Sequence, residues 1–278
     1  MAAPVAVVTG ATAGIGLYTA LGLARAGMRV IMVGRDPART EAARCLVSER
    51  ARAATVDTAL ADLADLAAVR RLAATLLAEH ERIDILVNNA GLISPRFQLS
   101  DDGFELTFAV NHLAPFLLTN LLLDRLKESA PARIVTVASQ AHHGAQLNSS
   151  TPTRAEGWTP LSAYGASKLC NILFTRGLAR RLDGALVTAA CLHPGVIATG
   201  IGNRAGWLAA LGWRVVKPFL GRPEQGAATS LFLATVTDPT PFHGAYVIGT
   251  AIAEPNPAAR DEALEEFVWR ESARMVGL

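Results

Sequence analysis

Tyr164 and Lys168 stand four residues apart in Ser162-Ala163-Tyr164-Gly165-Ala166-Ser167-Lys168-Leu169-Cys170-Asn171. On a helix that spacing puts both side chains on one face, one turn apart. The flanking Ala, Leu and Lys and the apolar run to Leu178 favour such a helix. An ammonium beside a phenol favours the phenolate and lowers the Tyr pKa from about 10 towards the working pH. A Tyr tuned in this way can give a proton to a substrate oxygen or take one from it. An isolated Tyr/Lys pair is more often a solvated surface pair, so the surrounding chain has to decide.

The elements that would position this pair begin at the N-terminus. Pro4 to Thr9 is a short apolar run that reads as a buried parallel strand, and Gly10-Ala11-Thr12-Ala13-Gly14-Ile15-Gly16 follows it. A helical pattern to about Ala26 and a second buried strand, Arg29 to Gly34, complete the unit. A glycine turn between strand and helix places backbone N–H groups where a pyrophosphate can be received. The spacing is G-x-x-x-G-x-G, and the strand before and helix after supply the context a nucleotide site needs.

The end of the second strand should choose the cofactor. Arg35 follows Gly34 directly, where a guanidinium can bind a ribose 2′-phosphate and the glycine leaves it room. Asp36 precedes Pro37 and is better placed as the N-cap of the next helix. NADP(H) is therefore favoured, with NAD(H) kept open by the Asp36 carboxylate.

Further along, a weak third strand is expected near 53–57, and Asp62-Leu63 precedes a helix over about 65–81. Ile83 to Asn88 reads as the fourth strand and runs into Asn89-Ala90-Gly91, where polar amides either meet a ligand or brace the turn. A long helix over about 101–129 carries Asn111, and Pro115 cannot donate to the Asn111 carbonyl, so a weakened or kinked turn is expected there. Arg133 to Ala138 is the fifth strand and ends at Ser139. The stretch 141–161 reads as a long surface loop; His142-His143 within it lack a third ligand, so no metal site is expected. A sixth strand, about 185–192, ends in His193-Pro194-Gly195-Val196-Ile197-Ala198-Thr199. Residues 200–222 turn apolar and aromatic, with Trp207, Trp213 and Phe219, and suggest a lid over an apolar substrate or a surface-seeking segment. A helix over about 223–234, a strand near 245–248 and a terminal helix within 258–276 finish the chain.

Composition bounds the rest. The 278 residues carry a formal net charge of +2 and no basic block, which argues against a nucleic-acid partner. Cys45, Cys170 and Cys191 are far apart, each in an apolar pattern, and read as reduced core residues of a cytoplasmic protein. No leader and no 18-residue apolar run for a membrane span is expected. The Ala- and Arg-rich bias suggests a GC-rich bacterial source.

Together these residues resemble the short-chain dehydrogenase/reductase superfamily over nearly the whole chain. The resemblance rests on Thr9 to Gly16, Asp62-Leu63, Asn88 to Gly91, Asn111, Ser139, Tyr164 with Lys168, and Pro194-Gly195 with Thr199. Val110 to Thr119, Ala138 to His142, the long Ser139-to-Tyr164 spacing and Ser167 to Phe174 are most similar to the retinol-dehydrogenase and WW-domain-oxidoreductase-like branch, although Ala138 stands where that branch usually has Ser.

The resemblance implies one doubly wound Rossmann domain over 1–278, with a seven-stranded parallel sheet. It implies Tyr164 as general acid or base, Lys168 as its tuner and ribose ligand, Ser139 as partner of the substrate oxygen, and Asn111 as holder of a water joined to Lys168. The cofactor would be held by Gly10, Thr12, Ala13, Gly14, Ile15, Gly16, Arg35, Asp62, Leu63, Asn89, Ala90 and Gly91. Tyr164, Lys168, Pro194, Gly195, Val196 and Thr199 would complete its site. The expected activity is NADP(H)-dependent reduction of a lipophilic ketone or aldehyde, as in a natural-product ketoreductase. Alternatives are an NAD-dependent alcohol or steroid dehydrogenase and a non-catalytic cofactor sensor. A homodimer and a monomer are both compatible with the resemblance.

Overall fold

The computed structural model describes residues 3–52, 54–147, 155–195 and 222–278. Strands β1 (Val5–Thr9), β2 (Arg29–Gly34), β3 (Val56–Leu60), β4 (Ile85–Asn88), β5 (Ala132–Val137), β6 (Val187–His193), β7 (Tyr246–Ile248) and β8 (Ala251–Ile252) form one sheet. Their spatial order is β3-β2-β1-β4-β5-β6-β7-β8. Every neighbouring pair is parallel except β7 with β8. The sheet thus has eight strands rather than the expected seven. The extra one arises because Gly249, at φ +64°, turns the chain straight back after Ile248, so Ala251 pairs with it.

Helices α1 (Gly14–Arg25), α2 (Pro37–Ala51), α3 (Leu66–Glu79), α5 (Pro160–Arg180), α6 (Pro223–Thr235) and α7 (Glu262–Val276) surround the sheet. A further helix, α4, runs from Leu106 to Glu128. Strands β1, β2, β4, β5 and β6 are almost wholly buried, as near-continuous Val, Ile, Leu and Ala runs should be when helices cover both faces. One core cluster joins the sheet to α3, α4, α5 and α7 through Leu76, Leu117, Phe116 and Phe174. The other joins it to α1, α2 and α6 through Leu21, Leu23, Val47 and Leu233.

Several boundaries differ from the sequence reading. Strand β3 lies three residues later than expected, because its register with β2 pairs Val30 with Val56 and Gly34 with Leu60. Helix α4 starts at Leu106, not near Asp101, because Gly103 adopts φ +81° and Glu105 caps the Phe108 N–H. The stretch read as loop contains a 3-10 turn, Gln140–Gly144, started by the Ser139 hydroxyl accepting from the Ala141 N–H. Helix α4 spans 23 residues and is long and apolar enough to cross a membrane, against the expectation from the sequence. Its most apolar stretch is 72% buried against the sheet and neighbouring helices. Cys45 is exposed rather than in the core: the inner face of α2 is Thr40, Ala43 and Val47, and Cys45 lies off it. The cysteines Cys170 and Cys191 are buried, which pushes both thiols up to about 12.

Candidate active site

The strand order reverses between β1 and β4, so the crevice at their carboxyl ends is where a parallel sheet of this kind binds ligands. A cavity of about 660 Å³ occupies that place. It is lined at one end by Gly10, Thr12, Ala13, Gly14, Ile15 and Gly16, and by Arg35, Asp62 and Leu63 beyond them. Asn89, Ala90 and Gly91 form its floor, and Ser139, Tyr164, Lys168, Pro194 and Gly195 close the other end. Val196, Thr199 and the expected lid, apart from Arg222, lie outside the described residues.

The glycine turn is shaped by close approach. A Cβ on Gly16 would lie 2.4 Å from the Asn89 amide nitrogen and 2.4 Å from the Gly10 carbonyl. Gly10 adopts φ +65° and would meet the Ala90 Cα at 2.9 Å. Asn89 fastens this contact: its Nδ2 donates to the Thr9 carbonyl at 2.8 Å, while the Asn89 and Ala90 N–H groups donate to the Thr9 hydroxyl. Asn89 therefore braces the turn besides lining the cleft. Helix α1 begins here with no side-chain cap, whereas Asp36, Asp65 and Thr159 cap α2, α3 and α5. Its free N–H groups and positive dipole end suit a pyrophosphate. The residues present thus fit a nicotinamide dinucleotide.

At the adenosine end, Asp36 caps α2 by accepting from the Arg39 N–H at 2.8 Å, as expected. Arg35 is 62% exposed and reaches Asp62 at 3.5 Å. Asp62 also accepts from the Ala64 N–H, a local turn contact. Gly34 admits protein rather than ligand alone: a Cβ there would strike the Thr40 hydroxyl at 2.1 Å and the Thr12 methyl at 2.6 Å. Arg39, missed in the sequence, also lines this end. The signal was present, since an Asp36 N-cap puts residue 39 in the first turn of α2, beside Arg35.

At the reacting end, α5 carries Tyr164 and Lys168 on one face. The Lys168 Nζ lies 5.6 Å from the centre of the Tyr164 ring. It donates to the Val137 carbonyl at 2.7 Å, and burial lowers its pKa to about 8. Tyr164 hydrogen-bonds the Ser139 side chain, which pulls its pKa down, but burial is the larger effect and pushes it up. The expected lowering of the phenol by Lys168 is therefore corrected: burial raises the phenol, and what opposes it is the hydrogen bond with Ser139 rather than the Lys168 ammonium.

Asn111 sits in a five-residue π turn, Ala109–Leu113, within α4. This is the irregularity that Pro115 should cause, since it cannot donate to the Asn111 carbonyl. The Asn111 side chain accepts from the Leu92 N–H at 2.8 Å and donates to the Leu92 carbonyl at 2.9 Å. It also donates to the Ser167 hydroxyl at 3.1 Å, which donates to the Tyr164 carbonyl. Both amide hydrogens are thus engaged, so a water held by Asn111 would have to use an oxygen.

His142 and His143 do not form a ligand pair. His142 is wholly buried, and its Nδ1 lies 2.6 Å from the Ser139 carbonyl while its Nε2 accepts from the Asn256 N–H. It therefore donates through Nδ1 and ties the Ser139 turn to the segment after β8. Gln140, Ile93 and His193 line the cleft as well. The sequence did not single them out, although Gln140 follows Ser139 and His193 precedes Pro194 at the carboxyl ends of β5 and β6.

The family model for short chain dehydrogenases matches residues 4–206. Human retinol dehydrogenase 13 is 41% identical over 98% of this chain and 84% of its own length. Mouse retinol dehydrogenase 14 is 42% identical over 98% and 85%. Among solved structures, a putative uncharacterized protein from Mycobacterium paratuberculosis superposes with a TM-score of 0.77 at 33% identity, covering 99% of this chain and 93% of that one. The NADP active-site complex of Pseudomonas aeruginosa RhlG superposes with a TM-score of 0.69 at 30% identity, covering 89% and 95%. A glycine turn at the switch point, the Ser139, Tyr164 and Lys168 cluster and these similarities agree: the chain is an oxidoreductase of the short-chain dehydrogenase/reductase superfamily, in its retinol-dehydrogenase-like branch.

Proposed function

We propose that this enzyme works in the cytoplasm as an NADP(H)-dependent reductase of a lipophilic ketone or aldehyde, a ketoreductase chemistry. The observation that carries the reading is one continuous cleft with cationic Arg35 and Arg39 at one end and Ser139, Tyr164 and Lys168 at the other. The two guanidiniums suit a 2′-phosphate, which can take charge-assisted, bidentate bonds. Asp36, the competing reader of a 2′-hydroxyl, has an oxygen committed to capping α2. The lipophilic class is supported by relatives named for retinol and by the apolar Leu92 and Ile93 on the cleft wall.

NADPH, when bound, supplies the hydride. Ser139 donates a hydrogen bond to the substrate oxygen and stabilises the charge that develops there. Tyr164 delivers the proton to that oxygen. A phenol held neutral by burial is in the correct form to act as an acid. Lys168 holds the ribose hydroxyls and keeps positive charge behind the phenol.

The test is turnover of a panel of aliphatic and aromatic ketones together with retinal, with NADPH and NADH compared under the same conditions. The expected result is reduction of bulky apolar carbonyls with at least about tenfold higher kcat/KM for NADPH, the equivalent of about 1.4 kcal/mol. A preference for NADH, or no turnover with either, contradicts the proposal.

A further inference from the structure

Asn171 lies on α5, three residues beyond Lys168, and is 1% exposed. Its Nδ2 donates to the Asn111 carbonyl at 2.9 Å and lies 3.5 Å from the Val137 carbonyl. That second oxygen is the one that accepts from the Lys168 ammonium. Because Nδ2 serves two carbonyls, the other amide atom is the oxygen, and it can only accept. Its partner, 3.2 Å away, is His112 Nδ1, which must therefore carry the proton. His112 Nε2 is then bare and accepts from the Ser272 hydroxyl at 2.7 Å. Donor and acceptor are thus fixed along the chain Ser272, His112, Asn171, Asn111 and Val137. His112 has no solvent exposure, and burial lowers its pKa to about 4, so the ring is neutral, as this pattern requires.

The network has a structural reason to exist. Pro115 leaves the Asn111 carbonyl without its helical donor, and a buried carbonyl without a partner is destabilising. Asn171 supplies that donor from another helix. Asn111 is thereby fixed where its side chain grips Leu92 next to Gly91, and a Cβ on Gly91 would lie 3.5 Å from Lys168 Nζ.

We infer that Asn171 is a positioning residue for Lys168 and Asn111, and that His112 and Ser272 carry its brace to the C-terminal helix α7. The inference rests on the reading of Lys168 as the residue that meets the cofactor ribose and supports Tyr164. Asn171→Leu removes both donors, which strips the Asn111 carbonyl of its Asn171 partner and leaves the Val137 carbonyl to Lys168. Asn171→Asp keeps the shape and the His112 bond but sets a carboxylate beside the oxygen that holds the ammonium. Opposite charge then stabilises protonated Lys168 and draws it away from the ribose.

The experiment measures melting temperature, NADPH Kd across pH 6–10, and kcat and KM for a ketone that the wild type reduces. The variants are Asn171→Leu, Asn171→Asp, Ser272→Ala and Ser272→Thr. Asn171→Leu is expected to lower kcat at least about tenfold with a smaller change in KM, since misplacement in a site costs rate. In Asn171→Asp, the break in the pH dependence of NADPH Kd moves to higher pH. Ser272→Ala lowers kcat in the same sense, and Ser272→Thr, which keeps the hydroxyl, restores it. Variants that fold and melt lower, yet keep wild-type kcat and the wild-type break, overturn the inference and leave a brace of the core. If Asn171→Leu does not fold, the Ser272 pair decides on the same criteria. A wild type that binds NADPH but reduces no carbonyl refutes the proposed activity alone; the Kd break in Asn171→Asp still decides this inference.

Discussion

Tyr164 and Lys168 are both displaced by burial, and in directions that leave each closer to neutral: the phenol goes up and the ammonium comes down to about 8. For Lys168 the sign has a consequence for stability. Between pH 8 and 10.5 the unfolded chain binds a proton that the native site does not, so the penalty is full below pH 8 and fades as pH rises towards 10.5. Lys168→Met is therefore expected to abolish turnover yet stabilise the fold at pH 7, by about 1–3 kcal/mol, with the gain shrinking towards pH 10.5. Chemical denaturation of both proteins across that range checks it; equal destabilisation at every pH contradicts it. At the other end of the cleft, Arg35→Ala should weaken NADPH binding by about 1.5 kcal/mol, the low end for a bond to a charged group because Arg35 is exposed, with NADH binding nearly unchanged. Titration with both cofactors tests this, and an equal loss for both denies Arg35 the reader's role. The Tyr164–Lys168 pair was legible because one helical turn fixes their relation. The balance of their pKa shifts was not, because it depends on burial by distant segments.

The π turn in α4 shows how far a local reading extends. Pro115 announced a break at Asn111, but its repair came from Asn171, 60 residues away, and no local pattern carries that. His112 adjoins the same turn as a neutral buried ring. Its native pKa of about 4 lies below the ordinary imidazole value of 6.5, so its contribution is intact above pH 6.5 and is lost as pH falls from there to about 4. Burial depresses His80, His142 and His193 in the same direction. Stability is expected to drop by several kcal/mol over that acid window, and His112→Gln to flatten the drop by up to about 3 kcal/mol. Denaturant melts between pH 4 and 7 read this directly; an unaltered slope in the variant contradicts it. Element ends were harder to read than element types: Gly103 and the Glu105 cap moved the start of α4, and sheet register moved β3.

Across the molecule, alternation of buried strands with helices made the doubly wound sheet legible, since β1, β2, β4, β5 and β6 are apolar runs buried on both faces. The antiparallel β8 was not, because a two-residue strand carries no periodicity. Nor did the sequence show what α7 packs on. Trp269 meets Phe116 at 5.1 Å and Phe174 at 5.9 Å between ring centres, and the Arg181 guanidinium covers it at 4.1 Å. The buried Glu265 pairs with Arg180 at 2.9 Å in the same contact. Trp269→Ala should cost about 3 kcal/mol of stability, and because Ser272 lies on the same helix it should lower kcat as well. The account as a whole rests on Tyr164 as the proton donor at the end of a cofactor cleft, and one comparison tests it most directly. NADPH Kd and the rate of NADPH-linked carbonyl reduction are measured for wild type and Tyr164→Phe, which differ by a single hydroxyl. The account predicts an NADPH Kd within about threefold of wild type and a kcat reduced by about 10²-fold or more, the contribution of a positioned acid. A variant that binds NADPH normally and retains more than about a tenth of the wild-type kcat contradicts it.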